Sequence, residues 1–336
     1  MAIDINGNCV VFNGEALCST PAGAEYAGVI CHQGFCDTRC SPVQGTVSGY
    51  VSAGSDVPSP SPTDDVIQKF PFSSDATSTD VGDTTGTRQR VSGQSSSVSG
   101  YTSGDLGPES TTIDKFPFSS DANATDVGEL AQAAGATAGQ SSTTDGYVTA
   151  GRTSPSPRFD FIQKFPFSSD TNATDIGELS CARGEGTGQS SITHGYTSGG
   201  TPPVRPFSDR IDKFPFVADA PATDVGNLAQ TRFGLAGQSS TTHGYSSGGY
   251  DDPHQTTIDK FSFATDGNAV DIGELIQGRD GISGQSSVTH GYASGGTTGL
   301  PSALDTLEKF PFSSDSPSSD VAELISAVYY TAGQQV

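Results

Sequence analysis

The stretch GQSSTTHGYSSGG occupies residues 237–249, and closely similar stretches occupy residues 188–200 and 284–296. Two more divergent copies, GQSSSVSGYTSG and GQSSTTDGYVTAG, begin at Gly93 and Gly139. A flexible Gly/Ser linker has no physical reason to keep Gln and Gly-Tyr at fixed distances from each other. The stretch is therefore one part of a structural repeat, and such a repeat decides the fold.

A second recurring sequence alternates with the first and centres on Lys-Phe-Pro-Phe, as in IDKFPFSSDANATDVGEL from Ile113 to Leu130. The lysines that mark its copies are Lys69, Lys115, Lys164, Lys213, Lys260 and Lys309. Their separations of 46 to 49 residues define six units, which together cover most of the chain.

Each repeat unit contains four segments that favour short β-strands. Alternation in IDKFPF places Ile113 and Lys115 on one face of a strand, and Phe116 and Phe118 on the other face. An Asp/Asn-rich turn leads to ATDVGEL, while the GQSS and Gly-Tyr segments supply two inner strands. Four short strands in each of six such units are typical of a β-propeller.

We therefore predict an all-β fold, a six-bladed β-propeller of four-stranded blades that spans residues 46–336. The predicted repeat core consists of the paired phenylalanines Phe70, Phe72, Phe116, Phe118, Phe165, Phe167, Phe214, Phe216, Phe261, Phe263, Phe310 and Phe312.

The two ends of the repeat region complement each other. The last unit has no Gly-Tyr-Ser-Gly segment, and VSGYVSAG at residues 47–54 is that segment without its preceding strand. We expect a strand from one end to complete the blade of the other, which closes the ring and removes two free sheet edges. The closing strand contains Gly49, Tyr50, Val51 and Ser52.

The order of segments resembles kelch-type propeller repeats. Arg232, GLAGQSS, HGYSSGG ending at Gly249, a variable loop, IDKFSF and AVDIGEL follow one another as the corresponding parts of a kelch unit do. The chain departs from that pattern because it contains no Trp and because the second unit has no Arg. The resemblance implies the propeller fold and leaves the function open.

The Lys-Phe-Pro-Phe-Ser-Ser-Asp and His-Gly-Tyr segments also resemble repeat proteins of marine tailed phages and environmental viral genomes. That resemblance implies a structural protein of the virus particle, assembled in the host cytoplasm. It names no ligand and no catalytic residue.

Residues 1–45 differ from the repeats, and we predict that they form a Cys-rich arm or attachment segment. The candidate zinc ligands or disulfide residues are Cys9, Cys18, Cys31, His32, Cys36 and Cys40. No pair of these cysteines has the two-residue spacing typical of structural zinc sites. The sequence leaves three states of these cysteines open: a zinc site, two disulfides with one odd thiol, or reduced thiols. Because about 45 residues bury little core alone, we expect the arm to dock on the propeller or on another virion protein.

Composition and charge argue against several classes of partner. The formal net charge of -22 repels nucleic acids and anionic membranes, so we predict no nucleic-acid partner. No apolar stretch approaches the length of a transmembrane helix, so we predict no membrane insertion. The first residues lack a basic region before an apolar run, so we predict no secretion signal.

The sequence offers no catalytic motif: Gly-x-Ser-x-Gly, a phosphate-binding loop and His-Glu-x-x-His are all absent. The units are also too alike for an enzyme, which breaks propeller symmetry where catalytic groups converge. We therefore predict no catalytic residues.

The parts that differ between units are the loops 55–64, 105–111, 152–160, 201–209, 250–256 and 297–305, which we expect to form contacts on one rim.

Three recurring polar groups have structural explanations. His194, His243 and His290 precede Gly-Tyr, but Ser48, Ser99 and Asp145 replace them in other units, so the sequence predicts no complete metal ring. DANATD and DTNATD resemble calcium loops but lack the Gly and Glu of an EF-hand, so we explain them as turns. We expect no cofactor, with zinc and calcium left open at these places. We expect the repeated lysines to form ion pairs with the Asp of Thr-Asp-Val-Gly in neighbouring blades.

These observations favour a non-enzymatic virion structural protein, an exterior capsid decoration or a tail or fibre component of a tailed phage. The arm would bind other virion proteins, and the rim loops would contact a host surface glycan or receptor. The alternative is a lectin-like propeller with equivalent pockets, for which the candidates are Tyr101, Tyr147, Tyr196, Tyr245 and Tyr292. A hydrolase or lyase on the same scaffold is the third hypothesis.

Overall fold

The computed structural model describes residues 44–56, 63–299 and 302–336, together with the backbone of five short strands nearer the N-terminus. Those strands are β1 (Ile5–Asn6), β2 (Cys9–Phe12), β3 (Glu15–Cys18), β4 (Ile30–His32) and β5 (Phe35–Asp37). The backbone register places Cys9 opposite Cys18 and Cys31 opposite Cys36. The side chains of residues 1–43 lie outside the described residues, so the choice among zinc, disulfides and free thiols stays a prediction, as does the domain boundary at residue 45.

The rest of the described chain forms six antiparallel sheets of four strands each, which are the blades of a propeller. The inner strands are β9 (Ser92–Ser95), β13 (Ala138–Ser141), β17 (Thr187–Ser190), β21 (Ala236–Ser239), β25 (Ser283–Ser286) and β29 (Ala332–Gln335). The second strands are β6 (Ser48–Ser55), β10 (Ser99–Leu106), β14 (Asp145–Thr149), β18 (His194–Ser198), β22 (His243–Ser247) and β26 (His290–Ser294).

The third strands are β7 (Thr63–Pro71), β11 (Glu109–Pro117), β15 (Phe161–Pro166), β19 (Arg210–Pro215), β23 (Thr257–Ser262) and β27 (Thr306–Pro311). The outer strands are β8 (Thr79–Asp83), β12 (Thr125–Glu129), β16 (Thr174–Glu178), β20 (Thr223–Asn227), β24 (Val270–Glu274) and β28 (Ser319–Glu323). Blade 1 has the order β29-β6-β7-β8, and blades 2 to 6 follow in chain order from β9 to β28. The described residues contain no helix long and apolar enough to cross a membrane.

Ring closure takes place in blade 1, as the sequence predicted. Strand β29 is the inner strand of that blade and pairs with β6, with Gly333 opposite Val51 and Gln334 opposite Tyr50. The predicted all-β, six-bladed fold with a closing N-terminal strand is therefore confirmed.

A ring of glycines lies on the propeller axis, one in each inner strand: Gly93, Gly139, Gly188, Gly237, Gly284 and Gly333. A Cβ atom added to Gly188 would lie 2.0 Å from the carbonyl oxygen of Gly139, and the other five would meet the neighbouring glycine at 2.1 to 2.3 Å. Glycine is required here because the inner strands approach each other more closely than any side chain allows.

Glutamine side chains link each inner strand to the following blade. The Nε2 atom of Gln189 donates to the carbonyl oxygen of Tyr245 at 3.0 Å, and the glutamines of the other five inner strands make the same bond at 2.9 to 3.2 Å. Five serine hydroxyls and the side chain of Gln335 form a second ring, in which the backbone N–H of Ser190 donates to Ser239 Oγ at 3.0 Å. These bonds satisfy polar groups that are buried at the centre of the ring.

Aromatic side chains fill the space between blades. The first phenylalanine of each pair is at most 4% exposed, and the second is buried or half-buried. Each blade's tyrosine packs on the pair of the next blade: the ring of Tyr147 lies 5.4 Å from Phe214 and 4.7 Å from Phe216. Gly195 lies beneath the Phe214 ring, where a Cβ atom would approach to 2.3 Å.

Four blades contain a buried ion pair between an arginine that precedes the inner strand and a carboxylate in the third strand. The pairs are Arg88–Asp114, Arg183–Asp212, Arg232–Asp259 and Arg279–Glu308. Burial lowers the pKa of Arg232 and raises the pKa of Asp259, because desolvation outweighs their mutual attraction. Such a pair is costly to break, since one partner alone is an uncompensated buried charge.

The two remaining blades have neither the arginine nor the carboxylate. In blade 3, Ala134 stands at the arginine position and Gln163 at the carboxylate position; in blade 1, Val328 and Gln68 stand there. The glutamine keeps one task of the carboxylate: Gln163 Oε1 accepts the backbone N–H of Ala131 at 2.6 Å, as Asp212 accepts that of Ser180 at 3.2 Å. Arginine and carboxylate are therefore exchanged as a pair.

We expect Gly188→Ala to destabilise the propeller by about 1–3 kcal/mol or more, because the new methyl group would overlap the Gly139 carbonyl. Gly86→Ala is the matched control, since nothing lies within 4 Å of a Cβ atom there. Chemical denaturation of the two variants checks this. Equal midpoints would show that the axis tolerates a side chain.

Arg183→Ala alone should cost about 3–5 kcal/mol, because it leaves Asp212 buried without its partner. The double variant Arg183→Ala, Asp212→Gln reproduces the pair of blade 3 and should recover much of that loss. The comparison uses the free energy of unfolding of both variants. A double variant no more stable than the single one would contradict the exchange in pairs.

Candidate binding face

The propeller has two unlike ends, because successive connections in an antiparallel blade lie at opposite ends of the sheet. One end, the loop face, carries the loops between second and third strands and the connections that enter the inner strands. The other end, the turn face, carries the short turns, such as residues 142–144 and 167–173. The variable loops named from the sequence therefore share the loop face, although residues 57–62 and 300–301 lie outside the described residues.

A ring of backbone hydrogen bonds surrounds the axis at the loop face. Its members are Arg90, Ala136, Glu185, Gly234, Gly281 and Tyr330. Each N–H donates to the carbonyl oxygen of the preceding member at 2.6 to 2.8 Å, so that the ring closes on itself. All six residues have a left-handed backbone, with φ between 55° and 68°.

The side chains on this ring break the six-fold symmetry of the backbone. Glycine is the residue best suited to positive φ, and two blades use it. Arg90, Ala136, Glu185 and Tyr330 adopt the same conformation at a steric cost. Three of these four carry large charged or aromatic side chains, which makes this part of the ring a candidate site.

The three side chains form one cluster with residues from the loops. Arg90 forms an ion pair with Glu185, and its guanidinium lies 3.6 Å from the centre of the Tyr330 ring. Arg152 also reaches Glu185, at 3.3 Å. On the other side, Asp280 accepts from Tyr330 Oη at 3.3 Å and contacts His254 Nε2 at 3.0 Å. Aromatic and charged groups from all six blades thus meet at the loop face.

A cleft of about 470 Å³ lies beside this cluster. Its walls include Arg90, Arg152, His254 and Asp280 together with the aromatic side chains of Phe233, Tyr250, Tyr329 and Tyr330. The Tyr250 ring lies 5.6 Å from Phe233 and 4.8 Å from His254, so the aromatic wall is continuous. This volume and lining fall in the range of small-molecule sites.

Burial shifts the ionisation of the cluster. Desolvation, followed by the nearby positive charges of Arg90 and Arg158, lowers the pKa of Arg152 to about 10. Desolvation raises the pKa of Asp280 against the attraction of His254. Burial also raises the pKa of Tyr330 to about 12, so that its hydroxyl stays protonated and donates.

The repeated lysines lie at the turn face, and their predicted partner was wrong. Lys164 pairs with Asp219 in the next blade at 2.5 Å, and the equivalent partners are the aspartates of the turn after Phe-Pro-Phe. The Asp of Thr-Asp-Val-Gly bonds locally instead, as Asp126 Oδ1 accepts the N–H of Gly128 at 3.1 Å. These lysine pairs are exposed, so each contributes at most about 1 kcal/mol.

The recurring histidines and tyrosines make contacts within the propeller. His194 Nδ1 lies 2.8 Å from Thr193 Oγ1, and the residues that line the two axial cavities do not include any of the three histidines. Within the described part of the chain, no three His, Cys, Asp or Glu side chains are grouped to hold a metal ion. The tyrosines proposed for equivalent glycan pockets are at most 3% exposed and cannot contact a ligand.

The chain enters the propeller from the turn face. The N–H of Gly45 donates to the carbonyl oxygen of Ser286 at 2.7 Å, and its own carbonyl accepts from Val288 at 3.2 Å. Gln44 Nε2 donates to the carbonyl oxygen of Ser287 at 3.1 Å. The connection to residues 1–43 therefore leaves the end opposite the cleft.

No family model matches the chain, and no curated protein matches its sequence. The class of protein rests on the structure: a six-bladed β-propeller of four-stranded sheets, consistent with kelch-like repeats.

Replacing His194, His243 and His290 by Ser, the residue of blades 1 and 2, should flatten the dependence of stability on pH. Burial, followed by the nearby lysines, lowers the pKa of each histidine in the folded protein. The native state then binds fewer protons than the unfolded chain, so stability falls as pH drops through about 6.5. Melting temperatures of both proteins from neutral to about pH 5 test this; parallel curves would contradict it.

Proposed function

We propose that this protein is a non-enzymatic structural and attachment component of a virus particle, an exterior capsid decoration or tail or fibre component of a tailed phage. Residues 1–45 attach it to other virion proteins, and the loop face contacts a host surface glycan or receptor. The setting in a particle is supported by the resemblance of its repeats to tailed-phage proteins.

The observation that carries the proposal is that the asymmetric cluster and the N-terminal connection lie at opposite ends of the propeller. The symmetry-breaking cluster around Arg90, Glu185 and Tyr330 lies at the loop face. The connection to the N-terminal segment leaves the turn face at Gly45. A protein anchored at one end and exposed at the other needs this arrangement.

The chemistry of the cleft supports binding over catalysis. A general base must be free to take a proton from the substrate. Here Glu185 is neutralised by Arg90 and Arg152, and Asp280 is held by His254 and Tyr330. Both carboxylates therefore serve to hold the walls of the cleft in place.

Immunogold microscopy with antibodies against the full chain tests whether the protein is part of a virus particle. Particles purified from a culture that carries the gene should be labelled on their exterior, and mass spectrometry of those particles should detect the chain at constant stoichiometry. Detection only in the soluble fraction would contradict the proposal. A control antibody against a cytoplasmic host protein shows whether the particles are clean.

A further inference from the structure

The loop-face cleft brings three guanidinium groups, those of Arg90, Arg152 and Arg158, near two carboxylates, Glu185 and Asp280. Arg90 and Arg152 share Glu185, while the nearby Arg158 donates its Nε hydrogen to the carbonyl oxygen of Thr201 at 3.0 Å. Elsewhere in the described structure, all six lysines and five arginines have a carboxylate partner, whereas Arg205 lies over the Phe207 ring at 4.5 Å. A local excess of guanidinium groups in a chain of net charge -22 attracts an anionic group.

Among the arginines that line the cleft, Arg152 has a buried donor that the described protein leaves unsatisfied. One of its guanidinium nitrogens bonds Glu185, and its Nε atom is buried without a hydrogen-bond partner. Its side chain lines the cleft. Planar guanidinium groups bind carboxylates with two parallel hydrogen bonds, so an anion at this wall would use the donors that Glu185 leaves free.

The other walls suit a sugar ring. Tyr250 and Phe233 present aromatic surface, which packs against apolar C–H faces. The Asp280–His254 pair offers an acceptor and a donor for hydroxyl groups. Tyr250 and Tyr329 also line the cleft, and each contributes a phenolic hydroxyl to its wall.

The overall charge sets a limit on the ligand. A polyanion would be repelled by the net charge of -22 that the whole chain carries. A single carboxylate on an otherwise neutral, hydroxyl-rich molecule would be attracted by the guanidinium groups of the cleft. Because it carries only one negative charge, the net negative charge of the chain would repel it less than a polyanion. An acidic peptide lacks the hydroxyl groups and the apolar ring faces that the remaining walls fit.

We infer that the loop-face cleft binds a carboxylated sugar, a hexuronic acid residue of an otherwise neutral glycan, with Arg152 and Arg90 receiving the carboxylate. The inference rests on the proposed function, because it names the ligand class of the same face. This inference also differs from the lectin-like alternative, because it places one asymmetric site at the loop face in place of equivalent pockets in every blade.

Calorimetry on the full chain compares glucuronate with glucose and galacturonate with galactose, pairs that differ in the carboxylate. The uronates should bind about tenfold more tightly, as expected for a hydrogen bond to a charged group. Arg152→Gln should abolish that preference. Arg210→Gln, which removes an exposed arginine paired with Asp224 outside the cleft, should retain it.

Tyr250→Ala is a second variant, expected to weaken uronate and neutral sugar alike while the preference for the carboxylate persists. It keeps the test decisive if Arg152→Gln does not fold. Equal binding of each pair, loss of preference in Arg210→Gln, or no uronate binding at millimolar concentration would overturn the inference. So would a Glu-containing peptide that binds as tightly and with the same dependence on Arg152. Binding by a chain absent from particles would refute the proposed function alone.

Discussion

The separation of the inner strands at the axis is the constraint on which the rest of the propeller depends. Six glycines face one another with no space for a Cβ atom, so the blades meet along their backbones. Buried backbone and side-chain polar groups must then be satisfied across the blade boundaries. The glutamine ring, the serine ring and the backbone ring at the loop face supply those bonds.

The blades are symmetric in backbone but follow two solutions in their interiors. Where Arg183 and Asp212 pair, charge is buried and compensated; where Ala134 and Gln163 stand, the same backbone N–H is satisfied without charge. Mixed combinations do not occur in the six blades of the described structure. Each blade therefore contains either the complete ion pair or neither charge. Moving one residue of the pair from one kind of blade to the other would leave a buried charge without its partner.

The fold could be predicted from the sequence because its evidence is periodic. Lys-Phe-Pro-Phe and Gly-Gln-Ser recur at nearly constant spacing, and the incomplete unit at each end indicates closure. The Lys–Asp partner was missed because two aspartates in each unit fit equally well, and only the geometry of the turn separates them. The binding cluster was missed for another reason. Arg90 and Glu185 are 95 residues apart and differ in type from their equivalents, so that periodicity hides them. A comparison of the residues at the position of Arg90 in each unit would have found them.

The pairing of β29 with β6 also determines when folding can finish. The two strands of blade 1 are separated by 282 residues, as the contact of Ser52 with Gln334 shows. During synthesis the first strand leaves the ribosome long before its partner exists, and its edge stays open until then. The native ring therefore forms only after residues 332–335 have emerged, and contacts of such long range slow the final step. A nascent or truncated chain thus exposes unpaired strand edge, which makes ribosome stalling or C-terminal proteolysis a route to aggregation.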